Sequence, residues 1–98
     1  MSHYSCTLLI SNKRGLHARA SASLASLAAG FPCNILLGHS QEQLCNAKNI
    51  LEVMMLAAGP GTELHLRTEG EQAAEAMAAL QQLVNDRFNE DSGSPASV

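Results

Sequence analysis

The chain opens with alternation. Between residues 3 and 10, Tyr4, Cys6, Leu8 and Ile10 fall on one side and Ser5, Thr7 and Leu9 on the other, a period of two that predicts a strand. Residues 12–15, Asn-Lys-Arg-Gly, break the pattern with turn formers and two positive charges. From His17 the period lengthens: Ala20, Leu24, Leu27, Ala28 and Phe31 recur at helical spacing, with Arg19, Ser23 and Ser26 opposite. This helix is expected to close at Gly30, with Pro32 preventing its continuation.

Residues 33–37 are a short apolar run, followed by Gly38-His39-Ser40 as a turn and by Gln43-Leu44-Cys45, which together read as a hairpin with a weakly patterned second arm. A short helix is expected to open at Asn46 or Ala47 and to stop near Leu56, before Gly59-Pro60-Gly61. Residues 62–68 alternate cleanly, Leu64 and Leu66 inward and Glu63, His65 and Arg67 outward, as in a strand with one wet face. The last helix is predicted over 71–88, where Ala73, Met77, Leu80, Val84 and Phe88 share a stripe opposite Glu75, Gln82, Asn85 and Asp86. Residues 89–98 are acidic and then rich in Ser, Gly and Pro, and are expected to form a disordered tail beyond a single domain spanning 1–88. The order βαββαβα predicts an α+β fold with three helices on one side of a four-stranded antiparallel sheet.

Composition narrows what such a fold can do. With 98 residues there is room for one core; apolar residues make up 46% and aromatics only 3%, so that core is built from aliphatic side chains and alanine. Six scattered basic residues and a net charge of −3 do not make a phosphate-tracking stripe, so no nucleic-acid partner is expected. There is no apolar run of membrane-spanning length and no secretion-signal layout at the start, and the expectation is a cytosolic protein. Cys6, Cys33 and Cys45 lack the spacing of a disulfide framework or a zinc site. His3, His39 and His65 form no metal-ligand pair, no hydrolytic triad is evident, and neither metal nor cofactor is expected.

Two stretches carry candidate chemistry. His17 stands where a turn runs into a helix. The unpaired backbone N–H groups of a first turn and the helix dipole favour an anion there, imidazole is a nucleophile at neutral pH, and Arg19 offers a donor fork suited to phosphate oxygens. The same arrangement also occurs at ordinary surface histidines, so chemistry alone leaves both readings open. The second stretch, residues 49–58, is apolar around almost the whole helical circumference, with only Asn49 and Glu52 polar. Either the helix is wedged between neighbours, or it presents Met and Leu side chains to a partner. Ser21, Ser23 and Ser26 read as a solvated helix face or as modification sites.

Gly15-Leu16-His17-Ala18-Arg19-Ala20, directly after a first strand, resembles the phosphorylation motif of the HPr family, the histidine phosphocarriers of the bacterial phosphoenolpyruvate phosphotransferase system. The resemblance continues through Asn46-Ala47-Lys48-Asn49-Ile50, Met54-Met55-Leu56-Ala57-Ala58-Gly59 and Thr68-Glu69-Gly70. It implies an open-faced β-sandwich and a monomeric carrier without turnover of its own. His17 would take a phosphoryl group on Nδ1 from phosphorylated enzyme I and hand it to an EIIA protein, with Arg19 steadying the phosphate. Leu16, Ala20, Ala22, Ile50, Leu51 and Met54 would form the docking surface. Ala20 replaces the family's usual proline, and Asn49 stands where many members carry a regulatory serine, leaving no phosphorylatable group at that position. Ala20, Phe31-Pro32-Cys33 and the Met-Met-Leu-Ala-Ala-Gly run are more similar to the nitrogen-branch NPr type, which implies a nitrogen-type enzyme I and EIIA as partners. The sugar-transport branch and a regulatory module that binds without transferring phosphate are the alternatives.

Overall fold

The computed structural model describes residues 2–89; the expected tail lies outside them apart from Asn89. In chain order the elements are β1 (His3–Leu9), α1 (Ala18–Ala29), β2 (Asn34–Ser40), β3 (Gln43–Asn46), α2 (Ile50–Met55), β4 (Glu63–Glu69) and α3 (Ala73–Asn85). The strands form one antiparallel sheet in the order β1-β4-β2-β3. The last strand in sequence is therefore inserted between β1 and β2.

The side of the sheet that meets the helices carries Leu8, Ile35, Leu37, Leu64 and Leu66, which pack with Ala20, Leu24 and Ala28 of α1, Val53 of α2, and Ala73, Ala76, Leu80 and Val84 of α3. Alanine at so many helix positions lets the helices lie close to the strands, which is how a core with few aromatic rings is filled. The opposite side of the sheet is open, with Thr7 beside His65 and Ser5 beside Arg67 along the β1–β4 pair. This open-faced α+β architecture is the one the pattern implies.

Several boundaries differ from the sequence expectation. β2 does not turn at Gly38-His39-Ser40; it runs through Ser40, and the reversal is made by Gln41 and Glu42. Gly38 reads as a turn residue in sequence but is required for packing, because a Cβ there would stand 2.0 Å from the Gln43 carbonyl oxygen. α2 opens at Ile50 rather than at Asn46 or Ala47: the N–H of Lys48 bonds the Asn46 side chain, and Asn49 takes the N-cap position. α3 begins at Ala73 rather than residue 71, because Gly70 and Gln72 both adopt left-handed backbone; buried Thr68 donates its hydroxyl to the Ala73 carbonyl. α3 also ends at Asn85. Phe88 still reaches the core, but through left-handed backbone at residues 87–89 rather than as the last residue of the helical stripe.

Candidate functional site

The loop before α1 is anchored rather than flexible. Asn12, which reads as a turn residue, is fully buried, and its Nδ2 donates to the Gly15 carbonyl at 2.8 Å. Gly15 has φ +64, and a Cβ there would approach the Ala58 carbonyl oxygen to 2.5 Å, so only glycine fits against the segment that follows α2. The N–H of Leu16 then donates to the same Ala58 carbonyl at 2.8 Å. The carbonyl of Leu16 accepts the hydroxyl of Ser21 at 3.1 Å. Ser21 is therefore a buried brace, not a solvated residue or a modification site.

This bracing delivers His17 to the N-cap of α1 with extended backbone, φ −74 and ψ −179. Its Nδ1 accepts the backbone N–H of Arg19 at 3.3 Å. A backbone amide can only donate, so Nδ1 holds a lone pair, and in the neutral ring the proton sits on Nε2. The ring is half-buried and the Arg19 side chain is exposed beside it. There is no acidic residue in the first turn of α1 to compete for the helix-start N–H groups. Lys13, Arg14 and Arg19, three of the six basic residues of the chain, lie within six positions of one another and are exposed. The site favours an anion close to a nucleophilic nitrogen.

The apolar surplus of α2 resolves into an exposed surface. Val53 is its buried residue, while Ile50 and Met54 are exposed, Leu51 is 66% exposed and Met55 82%. Met55 was not among the expected docking residues, although the all-round apolar pattern contained it. Asn49 caps this helix: its Oδ1 accepts the N–H groups of Leu51 and Glu52 at 3.0 and 3.3 Å. The position demands an N-cap acceptor, and asparagine supplies one without a hydroxyl that a kinase could modify.

Leu16 and Ala20, expected on the docking surface, are buried. They are 5% and 0% exposed and support the His17 loop from beneath; of the expected residues next to the histidine only Ala22 is exposed. Apolar residues look alike in sequence whether they face a core or a partner. His3 and His65 lie on strands away from this site, and His39 meets the end of α2.

A cavity of about 220 Å³ lies on the open side of the sheet, lined by Ser5, Thr7, Gln41, Leu44, His65 and Arg67, none of them in the His17 loop. Among the described residues no group of three His, Cys, Asp or Glu side chains converges as a metal site, and no helix is long and apolar enough to cross a membrane. The Cys45 thiol is pushed up by burial and by the Glu52 carboxylate. A histidine presented on an accessible loop, beside an apolar helix, suits a reaction whose other half is supplied by a protein.

Residues 4–86 match the family model described as "PTS HPr component phosphorylation site". The chain belongs to the HPr family. A phosphocarrier protein HPr of Pseudomonas aeruginosa is 52% identical over 83 residues, 85% of this chain and 92% of that protein. One from Cupriavidus necator is 48% identical over 81 residues, 83% and 90% of the two chains. Among solved structures, HPr-C-His from Thermoanaerobacter tengcongensis superposes with a TM-score of 0.83 at 34% identity, covering 89% of this chain and 97% of that one. HPr from Bacillus anthracis gives 0.79 at 33% identity, over 86% and 99%. The protein is thus a phosphocarrier of the phosphoenolpyruvate phosphotransferase system, relaying phosphoryl groups between enzyme I and EIIA proteins without turnover of its own.

Proposed function

We propose that His17 is the phosphoryl acceptor of this carrier, that it reacts through Nδ1, and that the chain serves the nitrogen-related branch, between a nitrogen-type enzyme I and a nitrogen-type EIIA in the cytosol. The observation that carries the first two parts is the Nδ1 lone pair held at the start of α1 by the Arg19 N–H. In the transfer, that lone pair attacks the phosphorus of phosphorylated enzyme I. The P–Nδ1 bond forms as the donor's bond to phosphorus breaks, and the bonding pair leaves with the donor; the proton on Nε2 stays in place. The Arg19 N–H released from Nδ1 then donates to a phosphoryl oxygen, and the exposed Arg19 guanidinium completes the fork. Because those donors already stand at the site of developing charge, little reorganisation is needed. Transfer to EIIA reverses the sequence with the acceptor's nucleophile in place of the donor.

Ala22, Ile50, Leu51 and Met54, with Met55 added, form the surface on which both partners dock in turn. The nitrogen-branch reading is supported by Ala20 in place of the family's usual proline and by Asn49 as a cap that cannot be phosphorylated. Transfer assays with phosphorylated nitrogen-type and sugar-type enzymes I, each with its own EIIA, decide the branch: faster transfer by at least tenfold through the nitrogen-type pair is expected. Preference for the sugar-type pair would return the chain to the branch that the relatives' name, HPr, suggests.

A further inference from the structure

α2 carries the exposed apolar side chains and yet is the least self-sufficient helix. It has six residues and a single buried side chain, Val53. A helix this short does not hold itself together in water, so its pose depends on what binds its ends. At its start, Asn49 accepts two of its N–H groups, and the Glu52 carboxylate accepts the N–H of Asn46 at 2.9 Å. At its end the carbonyls of Val53 and Met54 accept the N–H groups of Leu56 and Ala57 at 3.2 and 3.0 Å.

The carbonyl of Leu56, the residue that caps the helix, meets His39 Nε2 at 2.7 Å. A carbonyl only accepts, so Nε2 carries the proton and donates it. His39 comes from across the sheet. The β2–β3 register shifts between Gly38 and Ser40, leaving His39 as the unpaired residue of a bulge, the kind of irregularity that re-aims a side chain. Past Leu56, Ala57 turns through left-handed backbone with φ 51, and the next carbonyl, that of Ala58, fixes Leu16, the residue before His17. The carbonyl held by His39 is thus two residues from the carbonyl that anchors the phosphorylation loop.

We propose that His39 is a positioning residue for phosphoryl transfer: its Nε2–H sets the end of α2 against the His17 loop, so that a partner seated on Leu51, Met54 and Met55 meets His17 in register. The inference rests on the reading of His17 as acceptor and of α2 as docking surface. It assigns His39 no contact with the phosphoryl group, so the chemistry of a correctly docked complex does not depend on it.

The test uses phosphorylated enzyme I as donor with the full chain as the varied acceptor, and the wild type, H39A and H39Q as substrates. H39A is expected to raise KM by roughly three- to tenfold, the range an ordinary hydrogen bond supplies, with kcat within about twofold. H39Q, whose amide can donate from nearly the same place, is expected to restore KM. In NMR spectra, the backbone amide signals of Leu16, His17, Ala57 and Ala58 should move in H39A and return in H39Q. A wild-type KM in H39A would overturn the proposal, as would amide shifts confined to the neighbours of residue 39, or equal KM defects in H39A and H39Q. A wild-type chain that accepts no phosphate would instead overturn the reading of His17, while the amide shifts still decide whether His39 holds the two segments together.

Discussion

Two side chains and one missing side chain define the site at the scale of single residues. In the proposed site His17 supplies the nucleophile and Arg19 a backbone donor and a guanidinium, while Gly15 lets the loop lie against Ala58. Arg19→Ala keeps the backbone N–H and removes the guanidinium. Charge-assisted hydrogen bonds contribute about 1.5–3 kcal/mol, so phosphoryl transfer is expected to slow by roughly ten- to a hundredfold in rapid-quench kinetics, with the circular dichroism spectrum unchanged. An unaltered rate would make Arg19 an ordinary solvated residue. Gly15→Ala forces a Cβ into the Ala58 carbonyl and leaves alanine at φ +64. Denaturant unfolding should register a loss of at least about 2 kcal/mol, since left-handed backbone alone costs an alanine about 1 and the overlap adds to it. These particular contacts were beyond the reach of sequence reading. Asn12 and Ser21 are polar, yet both are buried and bonded to the backbone around His17.

At the scale of elements, α2 is where sequence and structure inform each other most. Its all-round apolar pattern fitted either a helix wedged between neighbours or a surface presented to a partner, and four of its side chains are exposed. Met54→Glu is expected to weaken binding to enzyme I or EIIA by at least tenfold in titration calorimetry while leaving the fold intact. Collapse of the fold would place Met54 in the core. Capping makes a second prediction. Asn49→Ala should destabilise the domain by about 1 kcal/mol through loss of the side-chain acceptor, whereas Asn49→Ser should retain most of it; thermal unfolding separates the two. β1, β4 and the middle of α3 were legible because clean periods of two and 3.6 survive in their sequences. The β2–β3 hairpin was legible but its turn was misplaced, since a bulge at His39 and a glycine required by tight packing both look like a turn when only residue types are visible.

Across the whole molecule, the division of labour follows from the topology. One side of the sheet is sealed by helices, which holds the ends of α1 and α2 next to one another; the histidine stands at the start of one, and the exposed apolar side chains stand on the other. The segment after α2 closes the arrangement through the two hydrogen-bond and packing contacts that Ala58 makes with Leu16 and Gly15. Fold class and family were both readable from the chain, the first from periodicity and the second from the motif around His17. The separation of buried supporting residues from exposed ones was not, because Leu16 and Ala20 differ from Ile50 and Leu51 only in which side of the backbone the tertiary structure covers. The central claim, that this fold exists to carry phosphate on His17, is tested most directly by incubating the chain with phosphoenolpyruvate and its enzyme I and then locating the adduct. An acid-labile, base-stable phosphoryl group on His17, absent from His17→Ala, is the predicted result. The same adduct persisting in His17→Ala would contradict it.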